Sequence, residues 1–562
     1  MNNILKTAAM SVLVVFATAC SNQIPADGWA HFSNFTYQGT DDFYRNNALP
    51  SASSFYNPIL PGWYSDPSVC TNGNGDYFLA TSTFVYYPGV PLFHSRDLVN
   101  WKQIGHVLSR QSQLQNLQKQ HVSGGIFAPA LAYNKHNQTY YMITTNVGAG
   151  NFFVKTKDPF GEWSDPIYLP DVQGIDPSFF FDEDGSAYIV NNDEPTYPAE
   201  YPGHRSIRIQ RFDVEKECTY GDRPALIDKG CHPEEKPIWI EGPHMYKING
   251  KYYLMDAEGG TSTNHSEVIF TSDSPMGPFV PWKNNPILTQ RHLDINRNYP
   301  ITCAGHADLI QASEGDWWAV FLACRPLDGA LGYENLGRET FIMPVRWTAD
   351  GFPIITEGNE TVNMICERKG VAVDSNARLG NFGYTDTFST DTLAPDWLSL
   401  RGPIDGSRMQ LCNGQLSLRC DTLHASARCI PSMLTRVLHH HKFTCTTQVS
   451  FEPKDTEEAG LILFKDETHH YYLSIAQRNG DKKILLHKVS SQADEVVAAE
   501  DVKQQSQNIK LRVASDGATF TFSFSTADGQ WTQVGQPMEA RYLSTAMAGG
   551  FTGTTIGLYA IR

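Results

Sequence analysis

One sequence pattern occurs five times along this chain, in copies about 50 to 65 residues apart. Each copy has a small or acidic lead residue, a short apolar strand, a polar turn and an aromatic residue or pair. The copies occupy residues 66–77, 128–141, 176–188, 241–253 and 306–318. A hairpin unit repeated at such intervals is typical of a β-propeller, in which each unit forms one blade. The sequence therefore predicts an all-β fold that begins with a five-bladed β-propeller.

Four of the lead residues carry chemical groups: Asp66, Asp176, Glu241 and His306. Rotation about a propeller axis brings equivalent positions together, so these four residues are predicted to meet at one site. A single Asp before Pro is most often a turn residue. Three acids in one cleft, however, push their pKa values apart, so that one stays protonated while another is ionised. Such a pair of carboxyl groups is suited to the hydrolysis of glycosidic bonds.

Composition limits the partners and the number of domains. With 562 residues, of which 41% are hydrophobic and 12% aromatic, the chain is long enough for two well-packed domains. The formal net charge of −16 argues against nucleic acid, which requires clustered Lys and Arg. Aromatic side chains stack on sugar rings and also fill β-cores, so they favour a carbohydrate only slightly. A neutral substrate is predicted.

The N-terminus has the pattern of an export signal. A basic start, a largely apolar stretch over residues 7–16 and small residues before Cys20 resemble a bacterial lipoprotein signal over residues 1–20, with lipid on Cys20. An ordinary signal peptide is the alternative. Ser21 after the cysteine favours the outer membrane, on its periplasmic or its cell-surface face. Residues 21–53 are predicted to form a tether and a strand that joins the first blade.

A second β-domain follows the repeats. Residues 351–382 are interpreted as a connection, and residues 383–562 show short alternating strands separated by turns, the pattern of a β-sandwich. This domain either binds sugar or forms a wall of the active site, or it supports the propeller. Cys218 and Cys231 flank a loop and can pair in an exported protein. The run 439–441 of three His is interpreted as a polar strand end, because consecutive side chains on a strand alternate faces.

Five ordered blocks of the chain resemble the signature blocks of glycoside hydrolase family 43, the β-xylosidase and α-L-arabinofuranosidase family. These blocks are residues 57–68 (NPILPGWYSDPS), 124–130 (GGIFAPA), 174–178 (GIDPS), 240–244 (IEGPH) and 337–340 (GRET). The resemblance extends from about Phe55 to Arg562. It implies a five-bladed propeller over residues 54–350 and a C-terminal jelly-roll or concanavalin-like sandwich over residues 383–562.

The resemblance also implies an inverting mechanism and a role for each acid. Asp66 matches the general base that activates water, Glu241 the general acid that protonates the leaving oxygen, and Asp176 the acid that modulates the pKa of the general acid. Inversion places a water between base and sugar, so the two carboxyl groups are expected roughly 6.5–9.5 Å apart. No cofactor is implied for the chemistry.

Four further residues match weaker family positions. His306 resembles a histidine that helps to hold a structural calcium ion through waters; a hydrogen-bonded core histidine is the alternative. Arg338 resembles an arginine that reaches a sugar hydroxyl, and a structural ion pair with Glu339 or another acid competes with that role. Phe84 and Phe127 match the aromatic walls around the terminal sugar, although both residue types also fill cores.

Two departures from the family pattern bear on the sugar. Phe127 stands where many family xylosidases have Trp, and the loop 451–460 lacks the aromatic residue that helps to close the pocket in such xylosidases. The preferred hypothesis is therefore an exo-acting enzyme that releases terminal α-L-arabinofuranose from plant hemicellulose or pectin-derived glycans. A β-D-xylosidase acting on 1,4-β-xylan or xylo-oligosaccharides is the alternative, and a non-catalytic glycan-binding lipoprotein is a distant third. A membrane is contacted only through the lipid anchor.

Overall fold

A computed structural model describes residues 27–327, 332–503, 506, 508–527 and 529–562. Cys20 and the predicted signal segment lie outside these residues. Strands dominate the described chain, and its helices are short: α1 (Asp42–Asn46), α2 (Thr545–Ala548) and 3-10 turns at Gln111–Gln113, Leu117–Lys119, Pro233–Glu235 and Ala540–Leu543. None of the described helices is long and apolar enough to cross a membrane.

Five antiparallel sheets form the blades of a propeller, which confirms the fold predicted from the repeats. Blade I contains β3 (Ser68–Thr71), β4 (Tyr77–Ala80), β6 (Gly89–Ser95) and β7 (Lys102–Leu108). Blade II contains β8 (Ala130–Asn134), β9 (Thr139–Asn146), β10 (Gly150–Thr156) and β11 (Ile167–Tyr168). Blade III contains β12 (Ile175–Phe181), β13 (Ala187–Asp193), β14 (Ser206–Asp213), β15 (Cys218–Tyr220) and β16 (Ala225–Asp228). Blade IV contains β17 (Glu241–Ile248), β18 (Lys251–Glu258), β19 (Ser266–Ser272), β20 (Val280–Pro281) and β21 (Leu288–Thr289). Blade V contains β22 (Thr302–Gln311), β23 (Trp317–Cys324), β24 (Glu339–Trp347) and β25 (Pro353–Ile354).

The first strand of each blade lies next to the axis. β3 contacts β8, β8 contacts β12, β12 contacts β17, β17 contacts β22, and β22 returns to β3, so the inner strands form a closed ring. Asp66 and Ala128 lie two residues before the start of these inner strands, and Asp176 and Glu241 are the second and the first residue of β12 and β17. His306 lies four residues after the start of β22. The ring therefore gathers them at one end of the axis.

The C-terminal domain is a sandwich of two antiparallel sheets. One sheet contains β29 (Met409–Cys412), β30 (Gln415–Arg419), β1 (Trp29–Gly39), β32 (Lys442–Ser450), β37 (Asn508–Asp516), β38 (Thr519–Ala527) and β39 (Gln530–Gln533), with β27 (Gly383–Asp386) and β40 (Met538–Glu539) at its margins. The other contains β31 (Met433–Val437), β41 (Thr555–Ile561), β33 (Glu458–Asp466), β34 (His469–Arg478), β35 (Asp481–Val489) and β36 (Asp494–Asp501). Alternate apolar side chains of both sheets fill the space between them.

The N-terminal segment differs from its prediction as a tether. Residues 29–39 form β1, which pairs with β30 and β32 in the middle of a sandwich sheet rather than with the first blade. Phe32 and Phe35 are fully buried there. The sequence of this segment shows little periodicity, and its partner strands lie almost four hundred residues further along the chain, so local pattern does not specify such a pairing.

The two domains share a core and hydrogen-bonded strands. β5 (Tyr86–Tyr87) of the propeller pairs with β28 (Ser399–Leu400), and β2 (Ser54–Tyr56) pairs with β26 (Ile365–Glu367) in the connection. Phe464 and Tyr559 of the sandwich belong to the same buried cluster as Trp63 and Tyr86 of the propeller. The sandwich is therefore packed against the face of the propeller that carries residues 62–87.

Two smaller expectations were also resolved. Cys218 and Cys231 are both free; the Cys231 thiol is buried and donates to Glu258 Oε1 at 3.1 Å. In the run of three histidines, His439 contacts the Pro61 carbonyl and His440 contacts the Gly380 carbonyl, at 2.8 and 2.9 Å. These ring nitrogens bind backbone oxygens, as structural histidines do.

Candidate active site

Asp66, Asp176 and His306 have the same unusual backbone conformation. Their φ angles are +55°, +51° and +51°, and Gly242, which follows Glu241, has φ +59°. In blades III, IV and V the pairing of the two inner strands is shifted by a β-bulge at this point. A bulge changes the direction of a side chain, and bulges are frequent next to active sites. The repeated bulge therefore turns the lead side chains away from the sheets and towards a common pocket.

That pocket has a volume of about 340 Å³ and lies at the end of the propeller axis. It brings together all the lead groups predicted from the sequence, together with the predicted arginine and both predicted aromatic residues. The lining consists of Asp66, Phe84, Phe127, Ala128, Ile175, Asp176, Trp239, Glu241, Gly260, Thr261, His306, Arg338 and Phe551. Trp239, Thr261 and Phe551 were not singled out in the sequence.

Asp66 is surrounded by groups that stabilise its ionised form. Its Oδ1 accepts a hydrogen bond from Arg338 at 2.8 Å, its other oxygen accepts one from Ser82, and His306 Nδ1 lies 3.7 Å from Oδ1. Burial alone raises the pKa of this carboxyl, but the Arg338 charge and the hydrogen bonds from serine outweigh it, so the pKa lies below its usual range. Asp66 is therefore an anion near neutral pH.

Asp176 and Glu241 have the opposite electrostatic environment. Burial and the nearby Asp66 charge raise the pKa of Asp176 to about 7, although the Gly242 N–H donates to its carboxylate. Burial, with Asp176 and Asp66 as neighbouring acids, raises the pKa of Glu241 well above its usual value. The pocket thus contains an ionised carboxylate and a protonated carboxyl group at the same pH. This combination provides a base and an acid for one reaction.

Arg338 binds the predicted base rather than its chain neighbour. Besides Asp66, its guanidinium donates to Thr261 Oγ1 at 3.1 Å. Glu339, the alternative partner, accepts two hydrogen bonds from Arg325 at 2.7 and 2.8 Å. An ion pair with Glu339 is therefore not formed, whereas the other form of that alternative, an ion pair with another acid, is present with Asp66.

Three phenylalanines form one wall of the pocket, which we call the phenylalanine wall: Phe84, Phe127 and Phe551. The Phe127 ring centre lies 5.8 Å from both of the others. Phe551 comes from the loop before β41 in the sandwich, and its ring lies 5.7 Å from the Arg338 guanidinium carbon. Loop 451–460 does not line the pocket, and the sandwich contributes an aromatic residue from a different loop, Phe551, which favours the alternative in which this domain forms a wall of the site. An aromatic residue between glycines, in Gly550-Phe551-Thr552-Gly553, was the available signal.

His306 is a neutral histidine at the bottom of the pocket. Burial lowers the pKa of its ring to about 3 despite the Asp66 charge. Calcium takes six to eight oxygen ligands, whereas the carboxylate at the His306 ring, Asp66, is already paired with Arg338, and Glu267 accepts the backbone N–H groups of His306 and Ala307. Across the described ranges, the three ligand groups that do lie together are Cys303, Cys324 and Glu334, without His306. These protein groups alone do not supply a calcium coordination sphere, and calcium held at His306 through waters, as the resemblance implies, stays a prediction.

A five-bladed propeller with an ionised and a protonated carboxyl group in one axial pocket defines the class: a glycosidase. The description "Glycosyl hydrolases family 43" matches residues 55–353, and "Beta xylosidase C-terminal Concanavalin A-like domain" matches residues 385–562. The chain belongs to glycoside hydrolase family 43. Its chemistry needs no cofactor, since carboxyl groups supply both the proton and the activation of water.

Relatives match over almost the whole chain. The non-reducing end alpha-L-arabinofuranosidase BoGH43B of Bacteroides ovatus is 35% identical over 524 residues, which cover 92% of each chain. A xylosidase/arabinosidase of Butyrivibrio fibrisolvens is 36% identical and covers 90% of this chain and 95% of its own. Among solved structures, a GH43_12 from a capybara gut metagenome has a TM-score of 0.88 at 41% identity and covers 95% of this chain and 99% of its own.

Proposed function

We propose that this chain is an exo-acting, inverting glycosidase that releases terminal α-L-arabinofuranose from plant hemicellulose or pectin-derived glycans. The observation that carries the proposal is the pair of opposite protonation states in one pocket of about 340 Å³, with Asp66 ionised and Glu241 protonated. A pocket of this size, walled by Phe551 on one side, suits one terminal sugar ring rather than the middle of a chain. The resemblance to an arabinofuranosidase acting at non-reducing ends supports the same substrate.

In this mechanism each acid has one role. Asp66 accepts a proton from a water that attacks the anomeric carbon, and Glu241 donates its proton to the leaving oxygen. Asp176 disfavours ionisation of Glu241 through its charge, while the Gly242 N–H fixes its position. Arg338 keeps Asp66 ionised, and its guanidinium lies where it can also donate to a sugar hydroxyl.

A β-D-xylosidase is the second candidate, and one observation favours it. Phe551 provides the aromatic closure from the sandwich domain that was expected of xylosidases of this type. A relative from Bacillus subtilis named beta-xylosidase is 29% identical over 531 residues. Arabinofuranose and xylopyranose differ by few hydroxyl contacts, each worth about 1–3 kcal/mol, so one pocket can accept both.

The direct test is to measure kcat/KM of the purified protein for 4-nitrophenyl α-L-arabinofuranoside and 4-nitrophenyl β-D-xylopyranoside. We expect release from both, faster from the arabinofuranoside. A faster xyloside reaction would make the second candidate the function, and no release from either would contradict the proposal. Proton NMR of the newly released sugar tests inversion, because the opposite anomer must appear first.

We also propose that the protein is an exported lipoprotein anchored through Cys20 at the outer membrane. The support is the sequence pattern of residues 1–20 alone. Labelling of cells with a radioactive fatty acid tests it: Cys20→Ala should abolish incorporation into this chain, whereas Cys70→Ala should leave it unchanged. Incorporation that persists in Cys20→Ala would contradict the anchor.

A further inference from the structure

The pocket contains a second aromatic surface that is separate from the phenylalanine wall. The wall lies on the side of the predicted base, because Phe551 contacts Arg338 and Arg338 binds Asp66. Trp239 lines the same pocket two residues before Glu241. No ring contact joins Trp239 to the phenylalanine wall in the described part of the chain. The phenylalanine wall is therefore on the side of Asp66, and Trp239 is on the side of Glu241.

The Trp239 ring is held in place by blade III. The Trp239 backbone has φ +53°, and its backbone N–H donates to the Gly203 carbonyl at 2.8 Å. The Arg205 guanidinium carbon lies 5.0 Å from the ring centre, and Asn192 Oδ1 accepts two hydrogen bonds from Arg205 at 3.0 and 2.7 Å. A guanidinium over an indole face is a stabilising cation–π contact. The indole is thus positioned before any ligand binds.

Much of this positioned ring remains uncovered. Trp239 is 39% exposed and its neighbour Ile238 is 38% exposed, whereas in the phenylalanine wall Phe84 is 1% and Phe551 is 39% exposed. Adjacent exposed apolar side chains at the edge of a pocket are typical of a ligand-binding surface, and a pyranose ring offers a flat face of C–H groups that suits an indole. Trp239 therefore has the properties of a sugar-binding surface at the open edge of the pocket.

The position of the acid identifies which sugar this surface binds. A general acid must lie next to the oxygen that leaves, so the leaving group is on the Glu241 side of the cleaved bond. We propose that Trp239 is the platform on which the leaving group stacks, and that this leaving group is a pyranose unit of an oligosaccharide or polysaccharide. This inference rests on the proposed function and extends it from the sugar released to the sugar left behind.

The test compares substrates that share the released sugar and differ in the leaving group. One is xylobiose that carries a single terminal α-L-arabinofuranose, and the other is methyl α-L-arabinofuranoside, whose methanol cannot stack. Both leaving oxygens need protonation, so Glu241 serves both equally. Trp239→Ala should lower kcat/KM for the oligosaccharide about tenfold more than for the methyl glycoside. Trp239→Phe should recover part of that difference. If the wild-type protein prefers xylosides, xylobiose and methyl β-D-xyloside replace the pair.

Tyr220→Ala is the matched control. Tyr220 is 51% exposed on β15 and does not line the pocket, so its removal should leave the ratio of the two rates unchanged. Equal losses on both substrates in Trp239→Ala would overturn the proposal, since the ring would then act only by positioning Glu241. An unchanged ratio would overturn it as well. Failure of the wild-type protein on all four substrates would instead contradict the proposed function.

Should Trp239→Ala fold poorly, Trp239→Leu provides the comparison, because leucine keeps an apolar side chain without a flat face. The preference for the oligosaccharide should then decrease in the order Trp, Phe, Leu. Inhibition by added xylobiose gives an independent binding measurement: its inhibition constant should rise about tenfold in the variant if xylobiose occupies the leaving-group position. An unchanged constant would count against the platform.

Discussion

At the residue scale, the site works because the neighbouring charges shift the pKa values of its carboxyl groups in different directions. Asp66 and Asp176 are buried and Glu241 is partly buried, and burial raises the pKa of each. Only Asp66 has a guanidinium at hydrogen-bond distance, and this ion pair restores its ionised form. Charge placement therefore distinguishes the base from the acid.

Removal of the Glu241 carboxyl group should affect substrates according to their leaving groups. Glu241→Ala is expected to reduce kcat by more than a hundredfold on arabinofuranosyl oligosaccharides, whose leaving oxygen must be protonated, and much less on a 4-nitrophenyl glycoside, whose leaving group departs as an anion. Steady-state kinetics on both substrates measure the difference. Equal losses would show that Glu241 is not the general acid.

Arg338 should set the acidic limit of activity. Arg338→Met removes the charge that lowers the pKa of Asp66, so burial and the other acids raise that pKa. Because Asp66 acts as an anion, activity should then be lost at a higher pH on acidification than in the wild type. The pH profile of kcat/KM checks this, with Arg346→Met, at an exposed ion pair with Glu360, as control. An unchanged acidic limb of this pH profile would show that Arg338 does not control the ionisation of Asp66.

The sequence was informative about the acids for a physical reason. Asp66, Asp176 and Glu241 occupy equivalent positions in successive repeats, and rotation about the propeller axis brings equivalent positions close together. Trp239 and Phe551 do not occupy such equivalent positions. Phe551 reaches the pocket from another domain, and Trp239 points into it through a left-handed kink, so both positions depend on tertiary contacts that periodicity does not encode.

At the scale of elements, the bulged start of β17 brings the backbone next to Glu241 close to the His306 ring. A Cβ at Gly242 would lie 2.7 Å from His306 Nε2, and the φ of +59° also disfavours other residues. The glycine therefore allows the blade IV bulge to approach the histidine of blade V. The five hairpins were predictable from alternation, whereas the bulges were not, because one extra residue in a strand leaves no clear mark on the pattern.

The loop between α2 and β41 should control the affinity for the terminal sugar. Phe551→Ala removes one ring of the phenylalanine wall, and we expect KM to rise roughly tenfold with a smaller change in kcat, since the ring packs on Phe84, Phe127 and the Arg338 guanidinium, which do not transfer protons in the reaction. Phe160→Ala, at a 59% exposed ring on the outside of blade II, is the control and should leave KM unchanged. A variant Phe551→Ala with wild-type KM would show that the sandwich domain does not bind substrate.

At the scale of the whole molecule, Arg325 joins three parts of the chain. Its buried guanidinium donates to Asp41 after β1, to Glu339 at the start of β24 and to the His439 carbonyl in the sandwich. Arg325→Met leaves two buried carboxylates without their cation, which should lower the free energy of unfolding by about 3–5 kcal/mol. Urea unfolding followed by fluorescence measures this loss. The exposed pair of Arg346 is the comparison, with less than about 1 kcal/mol expected for Arg346→Met; equal effects would contradict the role of Arg325.

The position of β1 has a consequence for biosynthesis. This strand leaves the ribosome before any blade, but its neighbours β30 and β32 begin at Gln415 and Lys442. Domains generally fold in the order in which they are made, so the propeller can form before the partner strands of β1 have been made. The phenylalanines that β1 buries in the folded protein are then still unpacked. The newly made chain thus carries an unpaired apolar segment until these later strands have been translated, and we expect a holding chaperone to bind it during that time.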